Sequence, residues 1–278
     1  MKILPLAFDS LGTRSMATFI KTDIKILIDP SAALGPKRYG LPPHPLEVKR
    51  LEKHIKTINK YAKKCDVLIV THYHYDHHNP NAPEIFKNKI ALVKHPKKKI
   101  NKSQKQRASH FLSLIQPKIL EFADGKEFIF KDTKIKFSQP VFHGTNSKLG
   151  YVIEVCIEYK GEKFLHSSDI EGPSVEEQVK FILEEKPDIV FIDGPMTYML
   201  GYRYSFKSYE QSIENLKKIA EICEILVIDH HMLRDLQWRE RVKQVEKIKH
   251  VMTAAEFAGK KEELLEARRK ELYEIYSF

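Results

Sequence analysis

Short apolar runs bounded by polar, glycine- and proline-containing turns alternate along this chain with stretches whose apolar residues recur every three or four positions. Runs of the first kind predict strands, and stretches of the second kind predict amphipathic helices. Residues 2–7, 16–20 and 25–28 read as three short strands. Thr22-Asp23 makes the turn between the last two, and Asp29-Pro30 closes the third. After a Pro- and Gly-rich loop over 31–45, Leu51, Ile55, Ile58 and Ala62 mark one apolar face of a helix whose lysines face water. DVLIVT at 66–71 suits a buried central strand, and 90–93 repeats it in shorter form. A helix over 103–115 precedes strands at 127–130, 134–138, 150–158 and 163–166, with Lys160-Gly161 as a hairpin turn. Residues 175–183, 189–192, 209–222 and 226–228 then read as helix, strand, helix, strand. Leu264, Leu265, Leu272 and Ile275 predict a charged amphipathic helix over 261–276. This alternation defines an α/β class. No Pro/Gly/Ser-rich linker divides the chain and no long-period repeat runs through it, so 1–278 is expected to form a single domain of two strand-rich halves with helices outside.

Composition narrows this picture. At 278 residues, 42% hydrophobic and 30% charged, with 11 Gly and 14 Pro, the chain is an ordered globule with a sizeable core; disordered and collagenous classes are excluded. Cys65, Cys156 and Cys223 are odd in number and lie in or beside apolar runs, which predicts core thiols in a reducing compartment. The N-terminal MKILPLAFDS has no long apolar region, and no window approaches the length of a membrane span, so a cytoplasmic protein without a membrane partner is expected. Lysine and arginine number 47 against 37 acids, a formal charge of +10. The surplus is concentrated. Lys94, Lys97, Lys98, Lys99, Lys102, Lys105 and Arg107 occur without an acid between them, and 49–64 carries seven basic residues against Glu52 alone. Such segments steer a small anionic substrate or nucleic acid; the competing reading is a lysine-rich solvated face.

The densest chemistry is Thr71-His72-Tyr73-His74-Tyr75-Asp76-His77-His78, directly after a hydrophobic strand. Buried imidazoles each need a partner, so so many in a few residues fit metal better than packing. Imidazole and carboxylate donors without thiolate favour Zn and also admit Fe or Mn. Further candidates follow strand ends: His143, Asp169 and His230. The order His72-x-His74-x-Asp76-His77, His143, Asp169, His230, with Asp29 ending its strand, resembles the signature of the metallo-beta-lactamase superfamily over nearly the whole chain. It is similar to an archaeal family of predicted metal-dependent hydrolases within it.

The resemblance implies a four-layer αββα sandwich with two divalent metal ions at one edge. His72, His74 and His143 would hold the first ion, Asp76, His77 and His230 the second, and Asp169 would bridge them. It also implies hydrolysis by a metal-bridging hydroxide, which Asp76 would help to position, with Asp29 orienting a ligand imidazole. His231 competes with His230 as the final ligand. It is otherwise expected to line the pocket or donate a proton. His78, His95, His110 and His166 read as surface or hydrogen-bonded scaffold; His44 is a candidate for a loop over the cleft. The segment 193–204, with its aromatic residues and Arg203, lines a pocket or forms a plain loop. The expected function is a binuclear hydrolase acting on a phosphodiester or other anionic phosphate, the basic insertion near 94–107 favouring anions. The alternatives are a thioester, acyl-ester or lactam hydrolase, and a non-catalytic nucleic-acid-binding protein with structural metal. A diiron oxidoreductase has no G-x-G-x-x-G fingerprint to support it. A homodimer is left open.

Overall fold

In a computed structural model of the chain, residues 1–275 are described. The first sheet holds β1 (Lys2–Phe8), β2 (Met16–Lys21), β3 (Lys25–Ile28), β4 (Val67–Val70), β5 (Ile90–Val93) and β6 (Ile119–Phe122) in chain order, the first three antiparallel and β3 to β6 parallel. β7 (Glu127–Phe130), β8 (Thr133–Phe137), β11 (Val155–Tyr159), β12 (Glu162–His166), β13 (Ile189–Asp193), β14 (Ile225–Asp229) and β15 (Val251–Met252) build the second. β9 (Val141–Phe142) and β10 (Tyr151–Val152) pair separately. The helices are α1 (Pro45–Ala62), α2 (Lys102–Leu114), α3 (Glu177–Glu185), α4 (Phe206–Ile222), α5 (Trp238–Glu246), α6 (Ala254–Phe257) and α7 (Arg269–Ile275).

Strand side chains alternate between faces, and here both faces of the central strands are buried. Ile26, Ile28, Val67 and Ile69 pack with Phe164, Phe191 and Val227 between the sheets. Leu27, Leu68 and Val70 point outward onto Ile58, Ala108 and Phe111 of α1 and α2. Val190, Ile192, Leu226 and Ile228 meet Ile213, Leu216 and Trp238 of α4 and α5. Burial on both faces explains why the central strands read as unbroken apolar runs. The layers are α, β, β, α, as the metallo-beta-lactamase resemblance implies. Cys65, Cys156 and Cys223 are buried and unpaired in disulfides.

Four expectations are corrected. The strand read over 150–158 is two strands, because Ile153 N donates to Thr71 O while Glu154 and Ser138 exchange bonds, carrying the chain from the small ladder into the large sheet. The terminal helix starts at Arg269 instead of 261. Residues 261–264 run without regular structure, tied by Glu263 N to Ser10 O, and Leu264 is buried from there; the predicted end at 276 lies outside the described residues. Lys94 is no part of the solvated basic face. It is fully buried, 2.5 Å from Asp124, and donates to Lys98 O. His44 caps α1 in a reciprocal capping box with Glu47, so it belongs to the helix start and not to a loop over the cleft. Among the described residues no helix is long and apolar enough to cross a membrane.

Candidate metal centre

Polar side chains gather at the carboxyl ends of strands from both sheets, where connecting loops meet. β3 delivers Asp29, β4 delivers Thr71 and His72, β9 delivers His143, β12 delivers Ser168 and Asp169, and β14 delivers Asp229 and His230. The backbone turns sharply there: φ is 49° at Asp29, 61° at Ser168, 52° at Glu171 and 62° at His230. A non-glycine residue in this left-handed region costs about 1–3 kcal/mol, and local bonds offset that cost. Asp29 accepts from Thr71 N at 2.8 Å and from Thr71 Oγ1 at 2.7 Å. His230 N donates to Asp229 Oδ1 at 2.7 Å.

Asp169 Oδ2 lies amid five imidazoles. His143 Nε2 is 2.8 Å away, His72 Nε2 3.5 Å, His77 Nε2 3.6 Å, and His74 Nδ1 and His230 Nε2 3.7 Å each. Asp76 Oδ2 is 3.9 Å from His77 Nε2 and 3.7 Å from His230 Nε2. Donor atoms of His72, His74, His143 and Asp169 lie within 4.8 Å of one another, as do those of Asp76, His77, Asp169 and His230. These are two candidate metal-binding clusters sharing one carboxylate, compatible with a binuclear divalent-metal site.

The donor chemistry fits cations. Separations of 3.5–3.7 Å exceed hydrogen-bond length. They approximate the spacing of about 3.4 Å between ligands on a tetrahedral ion with bonds of about 2.1 Å. Nε2 of His72 and of His77 is buried without a hydrogen-bond partner, a costly arrangement unless a cation accepts the lone pair. The opposite nitrogens are tied: His77 Nδ1 to Asp29 Oδ2 at 2.7 Å, His230 Nδ1 to Asp9 Oδ2 at 2.7 Å, and His72 Nδ1 to Thr71 Oγ1 at 3.2 Å. With Nδ1–H donating in each, the Nε2 lone pair is left facing Asp169. Thr71 Oγ1 donates to Asp29, so at 2.6 Å it accepts from Ser168 Oγ. One chain of bonds thereby joins strand ends of both sheets.

Burial holds the His72 imidazole well below its usual range and His74 at about 4. Neutral rings are what metal ligation requires. His230 departs the other way: burial opposes its charge, but Asp9 overcomes it and pushes the ring up to about 10. Asp169 is held well below the carboxylate range against burial, chiefly by His143 and His231. His74 and Asp76, with side chains 23% and 15% exposed, form the open side of a cluster otherwise nearly sealed.

His230 and His231 diverge. His230 enters the cluster; His231 places Nδ1 3.0 Å from Asp193 Oδ2 and 3.1 Å from Asp169 Oδ1, with Nε2 3.8 Å from Glu171. Of the scaffold histidines, His78 bonds His74 O, His95 accepts from Lys97 N and Lys98 N, and His166 bonds Met16 O. Sequence reasoning missed Asp9, Thr71, Ser168, Glu171 and Arg234. Asp9 had a signal, an acid directly after a strand, as at Asp29. Arg234 had none; it is buried, with Nε 2.8 Å from Asp9 Oδ1.

This sandwich and paired His/Asp site define a class, and the metallo-beta-lactamase superfamily profile matches residues 12–222. A UPF0282 protein of Korarchaeum cryptofilum is 57% identical over 284 residues, covering 99% of this chain and 95% of the relative. The chain belongs to the UPF0282 family within the metallo-beta-lactamase superfamily. Among solved structures, the metallo-beta-lactamase fold protein YhfI of Bacillus subtilis is similar at TM-score 0.54 and 13% identity, over 90% of this chain and 94% of its own. Igni18, a metallo hydrolase of Ignicoccus hospitalis, is similar at 0.51 and 14%, over 90% and 93%. These likenesses establish the fold.

Proposed function

We propose that the chain is a binuclear metal-dependent hydrolase of a phosphodiester or other anionic phosphate. The observation that carries this reading is the ring of five imidazoles around Asp169 Oδ2. His72, His74 and His143 would hold one ion, Asp76, His77 and His230 the other, and Asp169 would be shared between them. Zinc suits the donors best, and iron or manganese also fits. Bound there, two such ions would supply a water of lowered pKa and a polarising charge for the substrate oxygen on which charge develops.

The chain's own groups do the rest. Asp29 and Asp9 fix the His77 and His230 rings. Asp76, on the open side, accepts a hydrogen bond from the attacking water and directs it. His231 is preferred as a proton donor over a ligand, because its Nδ1 is engaged by Asp169 and Asp193 and its Nε2 faces Glu171. A structural site would be closed by four ligands, whereas seven residues gather here with one side open. Anionic phosphates are favoured by two divalent ions set against two ligand carboxylates.

The test is metal analysis of protein purified without added metal, with bis-p-nitrophenyl phosphate hydrolysis assayed beside His74→Ala. About two ions per chain and metal-dependent cleavage that is lost together with one ion in His74→Ala are expected. Metal content and turnover untouched by His74→Ala would defeat the reading. Cleavage of thioesters or lactams but not phosphodiesters would move the substrate class to acyl compounds.

A further inference from the structure

Beside His143 the surface opens into a cavity of about 240 Å³, lined by Thr145, Asn146, Lys148, Glu171 and Arg203 among others. That is smaller than a drug-sized pocket and suits one compact polar group. Its charges are unbalanced. Among the described residues neither the Lys148 ammonium nor the Arg203 guanidinium makes an ion pair, and both side chains are exposed where they line the cavity. The one lining carboxylate, Glu171, pairs with neither of them and lies 3.8 Å from His143 Nδ1 and 3.8 Å from His231 Nε2.

The backbone at Lys148 is fixed in place. Its carbonyl accepts from Asn101 Nδ2 at 3.0 Å, and Leu149 O accepts from Gln104 Nε2 at 2.7 Å. Gln104 is fully buried, and its Oε1 accepts from Tyr73 N, between His72 and His74. One side chain of α2 therefore sets the distance between the loop bearing Lys148 and the histidine turn. This is how the basic segment enters the site: through α2 as a support, while its lysines other than the buried Lys94 face water.

The geometry points to a second anion subsite. Resting on the hydrolase reading, the substrate is a small phosphoester that carries, besides its scissile group, a phosphate monoester gripped by Lys148 and Arg203. Two unpaired cations match the two negative charges of a phosphate monoester, and the small cavity favours a compact molecule over a polymer.

Two measurements separate this inference from the reading beneath it. Metal-stripped protein is titrated with inorganic phosphate calorimetrically, as wild type, as Lys148→Met/Arg203→Met and as Lys148→Arg/Arg203→Lys. Both side chains are exposed, and melting curves verify folding. Each charge-assisted hydrogen bond lost raises Kd by about tenfold; binding is expected to fall at least that far in the methionine variant and to be retained in the charge-conserving one. Metal-loaded protein is then given the p-nitrophenyl ester of thymidine 5′-phosphate with and without a 3′-phosphate. A wild-type preference for the 3′-phosphorylated ester of about tenfold, collapsing toward one in the methionine variant, supports the subsite. Equal phosphate binding in all three proteins, or no preference for the second phosphate, overturns it. Cleavage of long single-stranded oligonucleotides in preference to both esters also overturns it, in favour of a polymer. Should neither ester be hydrolysed while phosphate binding still depends on the two cations, the subsite stands and the hydrolase reading falls.

Discussion

Asp9→Ala removes the carboxylate that joins His230 to Arg234. Asp9 Oδ2 is 2.7 Å from His230 Nδ1 and Oδ1 is 2.8 Å from Arg234 Nε, with all three side chains at most 5% exposed. Burial raises the Asp9 pKa, yet Arg234 and His230 outweigh it and hold the group at about 2 instead of 3.8. At 1.36 kcal/mol per unit, that displacement corresponds to about 2–3 kcal/mol. Leaving Arg234 buried without its partner costs about 3–5 kcal/mol by an independent route, so a loss near 3 kcal/mol is expected in urea unfolding of metal-free protein. The effect on ion binding should be one-sided. Loss of a ring-orienting partner weakens metal affinity about 10–100-fold, and Asp9 touches His230 but not His72, His74 or His143. Competition with a chromophoric chelator should therefore show one of two zinc equivalents weakened and the other kept. Asp9→Asn retains an acceptor for His230 Nδ1–H and should recover part of the affinity. Two equivalents released as in wild type, or both weakened alike, would refute the reasoning.

Two further outcomes follow from buried charges. His54 in α1 is held neutral by burial, helped by Arg50, Lys260 and Lys53, at about 3. The unfolded ring takes up a proton near 6.5 and the folded one does not, so stability is full above pH 6.5 and declines as pH falls toward 3. Between pH 6.5 and 5 this amounts to about 2 kcal/mol; urea titrations should show that much less acid sensitivity in His54→Gln, and an unchanged pH slope would contradict the assignment. Arg269 and Glu47, both fully buried, form a two-bond pair at 2.8 Å. Arg269→Ala should cost about 3–5 kcal/mol, with much of it regained in Arg269→Met/Glu47→Leu; a loss below about 1 kcal/mol would place the pair outside the fold's stabilising contacts.

How much the sequence discloses depends on the range over which each cause acts. The strand ends were readable because an apolar run followed by histidine or aspartate is a local pattern, as at Val67–Val70 before His72 and Ile225–Asp229 before His230. Asp9 obeys the same rule, but in the sequence it appears only as an interruption of the N-terminal apolar stretch. Thr71 and Ser168 gain their role from the pairing of β3 with β4 and from the approach of the second sheet, neither of which spacing reveals. Leu264, Leu265, Leu272 and Ile275 satisfy helical spacing, yet the first two are packed before the helix begins. Counting charge marked Lys94 as solvent-facing because Asp124, its partner, is far along the chain.

The bond between Asp9 and His230 spans 221 residues, and that between Glu47 and Arg269 spans 222. Ribosomes add about 5–20 residues per second, so the histidine turn of 72–77 is made many seconds before the residues that complete its surroundings. During that interval the nascent chain carries four of the centre's side chains with no Asp169 or His230 to oppose them. Arg269 also donates to Gly35 O and Leu41 O, which lie 234 and 228 residues earlier in the chain. The loop before α1 is thus fastened by a side chain synthesised more than two hundred residues after it. A premature stop shortly before Arg269 would release a polypeptide with every proposed ligand present and that fastening missing.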